Sequence, residues 1–114
     1  MSERARIGIL INKKQVKFIR NIIDGGPAVL GKALKENYNT PQKVEQLIEH
    51  GDCIYPGDPK ISRVYETWHN VKPKIVDLDS FEKSQFDDYR YIYNPVTNTW
   101  KCKHISDFKF KRIK

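Results

Sequence analysis

The chain contains 114 residues, of which 39% are hydrophobic, 31% charged and 11% aromatic. This length and composition predict one folded domain over residues 1–114, and the aromatic content excludes a disordered chain. No apolar run approaches the roughly 20 residues of a membrane span, and Ile7–Ile11 is too short for a signal-peptide core, so we expect no membrane partner.

The positive charge is concentrated at the two ends of the chain. The net charge is +7, yet residues 1–20 and residues 101–114 each hold six bases against one acid. The segment between them is therefore mildly acidic. If both ends join one sheet, the folded protein has a basic sheet and a mildly acidic remainder, which favours a polyanion or an acidic protein as partner.

The first forty residues predict a β-hairpin followed by a helix. Arg4–Ile11 and Gln15–Ile23 are short segments rich in β-branched residues, which is typical of strands, and residues 12–14 form the turn between them. The sequence Asp-Gly-Gly-Pro at 24–27 then ends the hairpin, and the apolar spacing over Ala28–Asn37 indicates a helix. Gly31 weakens this helix and indicates a close approach or an irregular start.

A second helix has the clearest boundaries in the chain. Thr40 is a good N-cap residue, Pro41 suits the first helical position, and Gly51 is a typical C-terminal stop. Residues 61–71 are ambiguous between helix and strand, and we favour helix. A short helix is predicted at Asp79–Glu82, with Asp79 or Ser80 as its cap and with Phe81 and Phe86 turned inward.

The end of the chain predicts a second hairpin. Tyr89–Asn94 and Thr99–His104 flank a four-residue loop that pairs Tyr93 with Trp100 and Tyr91 with Cys102. The period of two then places the aromatic residues on the core face and Arg90, Ile92, Lys101 and Lys103 on the other.

These elements predict an α+β fold. We expect a four- to five-stranded, mainly antiparallel sheet that joins the two hairpins, with two or three helices on one face. Residues from about 105 to 114 are expected to form a basic C-terminal tail, in which Phe108 and Phe110 alternate with Lys109 and Lys111.

The turn after the first hairpin has the spacing of a phosphate-binding loop. Gly26, Gly31 and Lys32 follow the pattern G-x4-G-K between a predicted strand and a predicted helix. Ala33 replaces the hydroxyl residue that holds Mg²⁺, and Pro27 removes a backbone donor, so nucleotide hydrolysis is not expected. A weaker hypothesis is an anion site at Gly25, Gly26 and Lys32, against the alternative of a tight turn with glycines at positive φ.

No residue pattern indicates catalysis or a metal. His50, His69 and His104 lack the spacing of zinc ligands, and no activated nucleophile is evident. Cys53 and Cys102 are expected to be reduced in a cytoplasm. We therefore predict a protein that is not an enzyme and that needs neither a metal nor a cofactor.

Strand alternation in the simplest register aligns the bases of both chain ends on one sheet face. Tyrosines fall on the opposite face, so phosphate contacts are favoured over base stacking. The predicted binding surface consists of Arg4, Arg6, Lys17, Arg90, Lys101, Lys103, Lys109 and Lys111.

A set of motifs resembles small uncharacterised proteins of tailed bacteriophages. The motifs are Ile7-Gly8, Asp24-Gly25, Gly31, Leu34, Tyr38-Asn39-Thr40, Lys43-Val44, Leu47-Ile48 and Gly51-Asp52, followed by Asp87-Asp88-Tyr89-Arg90-Tyr91 and Trp100-Lys101. The resemblance covers roughly residues 6–52 and 87–103. It implies a phage protein that acts in the cytoplasm of the infected host, and proteins of this kind are commonly host-takeover or anti-defence factors.

Three functional hypotheses follow. The first is a phage-encoded binding protein that inhibits or redirects an acidic host protein through the basic sheet surface. The alternative is a direct binder of DNA or RNA with little sequence preference. The third is a protein that sequesters an anion or a nucleotide at the Asp24–Lys32 turn.

Overall fold

The computed structural model describes residues 3–53, 71–83 and 87–113. These residues form six strands, three α-helices and one π-helical turn. In chain order they are β1 (Ala5–Leu10), β2 (Gln15–Asn21), the π-helical turn (Pro27–Gly31), α1 (Lys32–Asn37), α2 (Pro41–His50), β3 (Lys74–Asp77), α3 (Leu78–Glu82), β4 (Tyr89–Asn94), β5 (Thr99–His104) and β6 (Lys111–Arg112).

All six strands belong to one sheet in the order β3-β2-β1-β4-β5-β6. The α+β class is confirmed, and the sheet joins the two hairpins as expected, with six strands rather than four or five. Every pairing is antiparallel except the central one, in which β1 and β4 run parallel. This pairing starts where the N–H groups of Asp88 and Tyr89 both donate to the carbonyl oxygen of Arg4, at 2.9 and 3.2 Å.

Both hairpins form as the sequence predicts. In the first turn the Asn12 side-chain oxygen accepts hydrogen bonds from the N–H groups of Lys14 and Gln15, each at 2.9 Å, which fixes the direction of the chain. In the second hairpin the predicted register is confirmed, with Tyr93 opposite Trp100 and Tyr91 opposite Cys102. A fixed loop length together with period-two alternation was enough to determine this pairing.

Helices α1 and α2 pack on the face of the sheet that carries Ile7 and Tyr91. The predicted Thr40 cap is confirmed, since its Oγ1 accepts a hydrogen bond from the N–H of Lys43 at 3.3 Å. Gly51 ends α2 at φ 89°, and a Cβ there would lie 2.3 Å from the carbonyl oxygen of Val71, so only glycine fits. We call this side of the sheet the helix face.

The opposite side of the sheet has its own smaller core, and we call it the basic face. Val16, Phe18 and Ile92 pack there against Phe81 of α3. Helix α3 therefore lies on the basic face, while α1 and α2 cover the helix face, in agreement with the expected two or three helices on one face. Phe81 needs an apolar surface, and the other face is already occupied by α1 and α2.

Two details of the predicted ends also differ. The cap of α3 is Asp77, whose carboxylate accepts from the N–H of Ser80 at 3.1 Å, rather than Asp79 or Ser80. The segment expected as a basic tail contains β6, and the Ile113 N–H donates to the carbonyl oxygen of Trp100 at 3.0 Å. The prediction for residues 61–71 falls outside the described residues except at residue 71, and that for Phe86 falls wholly outside them.

Replacement of Trp100 by alanine should remove a central element of the helix-face core. The side chain is 5% exposed, and its indole N–H donates to the carbonyl oxygen of Tyr38 at 2.8 Å. We expect Trp100→Ala to lower the free energy of unfolding by about 3–5 kcal/mol in urea denaturation. Val96→Ala, at an exposed position in the same hairpin, is the control. A Trp100→Ala variant as stable as this control would contradict the packing.

Candidate polyanion-binding surface

Four cationic side chains lie next to one another across the basic face. The strand register places Arg20 opposite Arg6, Arg6 opposite Arg90, and Arg90 opposite Lys103. We call these four residues the cationic row. Adjacent strands lie about 4.8 Å apart, so the row spans about 14 Å of the sheet. Like charges on neighbouring strands repel one another, and the row therefore needs a compensating charge.

Asp87 supplies that compensating charge. Its side chain is fully buried, and its two carboxylate oxygens accept hydrogen bonds from Arg6 Nε and from an Nη of Arg20, both at 2.9 Å. The residue precedes β4, so it sits at the end of the sheet where β1 and β4 begin and β2 ends. One carboxylate pairs with two guanidinium groups, so the cationic row keeps a surplus of positive charge.

Arg90 is a structural residue rather than an exposed one. It is 1% exposed, and its Nη1 donates to the backbone oxygen of Asp87 at 3.1 Å, while its Nε is buried with no hydrogen-bond partner. Burial, reinforced by the charge of Arg6, lowers the pKa of the Arg90 guanidinium, and Asp87 and Asp88 oppose this shift. The prediction that Arg90 is an accessible contact residue is therefore wrong. Strand alternation predicted the sheet face on which the side chain lies, but not how deeply it is buried.

Arg6 and Arg20 are held in place but remain accessible at their edges. The exposed fraction is 17% for the Arg6 side chain and 33% for the Arg20 side chain. The guanidinium of Arg6 also lies over the ring of Phe18, 4.6 Å from its centroid, which adds a cation–π contact to the ion pair. These contacts fix the positions of the two charges and leave part of each group facing solvent.

The basic face carries further cations beyond this fixed group. Lys103 continues the row, with its Nζ 5.9 Å from the centroid of the Phe110 ring, and Arg112 pairs opposite Lys101 in the neighbouring row. Strand alternation adds Lys74 of β3, which lies opposite Phe18. Lys101, Arg112 and Lys74 are exposed. Arg4 is also exposed, at the head of β1.

Three residues of the predicted surface lie elsewhere. Lys17 pairs opposite Ile9 on the helix face and forms an ion pair with Glu49 of α2. Lys111 pairs opposite Cys102, also on the helix-face side, and Lys109 lies in the loop between β5 and β6. The prediction of one common face is therefore wrong for these three.

The sequence analysis missed three cations of the basic face: Arg20, Lys74 and Arg112. The sequence did indicate the position of Arg20, because counting residues outward from the predicted turn at residues 12–14 places Arg20 opposite Arg6. No comparable signal existed for Lys74 and Arg112, whose strands contain four and two residues and lack any clear alternation.

The predicted anion site does not form around the two glycines. The Gly25 N–H donates to the carbonyl oxygen of Glu3 at 3.0 Å, and a Cβ on Gly26 would lie 2.7 Å from a Glu3 carboxylate oxygen. A carboxylate thus lies where an anion was expected. The glycines do not adopt positive φ either: Asp24 has φ 51°, and the glycines permit close approach of the chain to Glu3.

Lys32 instead lines a shallow groove on the helix-face side. Two adjoining hollows of about 530 and 440 Å³ share Pro27, Ala28 and Ile113 in their lining. Lys32 and Lys35 border one hollow, and Lys111 and Arg112 border the other. This groove adds a second concentration of positive charge near the edge of the sheet.

The thiols show no sign of activation. Burial raises the pKa of Cys53 to about 12 and that of Cys102 to about 11. Both are therefore overwhelmingly protonated at neutral pH, and a protonated thiol is a poor nucleophile. Within residues 3–53, 71–83 and 87–113, no cluster of three or more histidine, cysteine or acidic side chains could hold a metal ion.

Comparison of the sequence with protein-family models, curated proteins and solved structures found no match. None of the helices in the described part of the chain is long and apolar enough to cross a membrane. Function must therefore be argued from the surface itself.

Asp87→Asn should be strongly destabilising, because it leaves the arginines around that position without a charged partner. We expect a loss of about 3–5 kcal/mol in the free energy of unfolding, partly restored by added salt, which screens the remaining repulsion. The control is Asp79→Asn, which breaks only the exposed pair with Lys83 and should cost about 0.5 kcal/mol or less. Equal effects of the two substitutions would contradict the role of Asp87.

The two thiols should react slowly with Ellman's reagent in the native protein. At pH 8 the Cys53 thiolate is on the order of one in ten thousand molecules, given its raised pKa. We expect both cysteines to react at once in denaturant and far more slowly without it. Rapid native labelling would show that burial does not protect them.

Proposed function

We propose that this chain is a phage-encoded binding protein that inhibits or redirects an acidic host factor through its basic face. It acts in the cytoplasm of the infected bacterium, without catalysis and without a cofactor. The observation that carries the proposal is the cationic row, in which four basic side chains lie on four adjacent strands and one buried carboxylate pairs with only two of them, Arg6 and Arg20.

The energetics of the basic face favour an acidic partner. Repulsion within the row and with the nearby Lys101 and Arg112 lowers the stability of the free protein. Carboxylates of a partner would remove that repulsion on binding, so the same charges that weaken the fold strengthen the complex. Arg6 and Arg20 suit this role because Asp87 has already fixed their positions, which lowers the conformational entropy lost on binding.

A protein partner is favoured over a nucleic acid on this face because its aromatic residues are covered. Phe18 and Phe81 pack edge to face within the small core, with ring centroids 5.6 Å apart, and neither offers a free ring for a base. The tyrosines of β4 lie on the helix face. Contacts here are thus limited to charge and hydrogen bonding, which a carboxylate-rich protein surface satisfies.

Direct binding of nucleic acid is the second candidate. The observation that favours it is the uneven distribution of charge on the face, where the cationic row, Lys74, Lys101 and Arg112 are opposed by Asp87 at one end of the sheet. A phosphate backbone meets such a surface without any base contact. Sequestration of a small anion at the Asp24–Lys32 turn is not favoured, because the Gly25 N–H is already bonded to the chain.

A double charge reversal on the basic face tests the leading proposal. Lys101→Glu with Lys103→Glu should abolish capture of the host factor from bacterial lysate and leave the melting temperature unchanged or higher. Lys13→Glu with Lys14→Glu makes the same change in charge in the first hairpin turn and serves as the control. Intact binding by the Lys101/Lys103 variant would move the interface away from the basic face, and a lower melting temperature would show that these lysines pair internally.

A salt titration separates the two candidates. Binding to random duplex DNA and RNA should be absent at moderate salt if the partner is a protein. Nucleic-acid binding instead requires log K to fall steeply and linearly with log salt concentration. A steep slope for the wild-type chain that is reduced in the Lys101/Lys103 variant would replace the leading proposal by the second.

A further inference from the structure

The loop between β5 and β6 holds an aromatic side chain out in solvent. Phe108 is 97% exposed. The backbone before it is tied down, since the Ile105 N–H donates to the carbonyl oxygen of Asp88 at 2.8 Å and the Asp107 N–H donates to that of His104 at 2.9 Å. After it, the Lys111–Arg112 strand pairs with β5. The position of the ring is therefore set by the fold on both sides.

The neighbouring aromatic residue shows that this exposure is selective. Phe110 lies two residues further on and packs against the core of the basic face, beneath the Lys103 ammonium group. The loop thus buries one ring and presents the other. Apolar area left in water is unfavourable, and a partner that covers the Phe108 ring would remove this area from water.

The surroundings of Phe108 are cationic. Lys109 follows it directly, Lys111 and Arg112 form the adjacent strand, and Lys103 lies over Phe110. The carboxylate nearest in sequence, Asp107, accepts a hydrogen bond from the His104 N–H at 3.1 Å and is engaged within the loop. The exposed ring therefore lies in a strongly basic segment of the chain.

We propose that this loop binds single-stranded nucleic acid, with a base stacked on Phe108 and the adjoining phosphates held by the surrounding cations. A base can stack on one free face of an aromatic ring. Basic side chains next to that ring can then bind the phosphates on either side of the base in a single-stranded nucleic acid. A membrane surface would need a broader apolar patch, and Phe110 is turned away into the core. The ring itself is no part of the cationic row, although Lys103 and Arg112 belong to the basic face, so a substitution of Phe108 leaves the charges of the proposed protein interface in place.

The probe is fluorescein-labelled oligo(dT) of about twelve nucleotides, within the range of typical single-strand sites. Loss of one stacked base should weaken binding roughly 5- to 100-fold in Phe108→Ala, while Phe108→Trp should retain affinity. Binding of oligo(dT) should also quench the indole fluorescence of the Trp variant more than that of the wild-type chain. The control is Val96→Ala, at a 92% exposed apolar position in the other hairpin loop, and it should bind like wild type.

A second polyanion separates stacking from charge. Inorganic polyphosphate has no bases, so wild type and Phe108→Ala should bind it equally. Equal oligo(dT) affinity of wild type and Phe108→Ala would overturn the proposal, and so would a parallel loss of polyphosphate binding. If Phe108→Ala loses binding to phosphatidylserine vesicles but binds oligo(dT) like wild type, the ring contacts a lipid surface instead. Capture of an acidic host protein by Phe108→Ala tests the basic-face proposal separately, because this substitution leaves every basic side chain of that face in place.

Discussion

The buried carboxylate of Asp87 is the interaction on which the arrangement of this sheet depends. It accepts hydrogen bonds from Arg6 of β1 and Arg20 of β2, and its backbone oxygen accepts one from Arg90 of β4. Two strands of the N-terminal hairpin and one strand of the C-terminal hairpin therefore meet at one residue. Without this carboxylate the parallel pairing of β1 with β4 would bring Arg6 beside Arg90 and leave Arg6 without its charged partner.

The same contact explains how a chain with two basic ends forms one sheet. The N-terminal hairpin and the C-terminal hairpin must lie side by side, although the two end segments have the same sign of charge. The helix face supplies the apolar driving force through residues such as Ile7, Tyr91 and Trp100. On the basic face, repulsion between the basic side chains of the two hairpins opposes this packing. Asp87 reduces that repulsion but does not remove it.

Sequence reasoning succeeded where structure is local and failed where it is not. The Tyr93–Trp100 register follows from a loop of fixed length and a period of two, and the Thr40 cap follows from one residue and its helix. The burial of Arg90 and the position of Lys17 depend on which strand pairs with which, and on what covers each face. The cluster around Asp87 joins residues more than sixty positions apart, and a pattern within one segment cannot show it.

The burial of Arg90 also changes how the charge of the basic face should be understood. Arg90 is enclosed, and Arg6 and Arg20 are held by Asp87, so these arginines act on a partner mainly as a fixed electric field. Lys101 and Arg112 are exposed and free to adjust to the shape of a partner. A fixed field attracts and orients the partner, whereas flexible side chains make the final contacts. The face therefore combines preorganised charge on its arginines with adaptable charge at its edge, and the proposed complex with an acidic protein would use both.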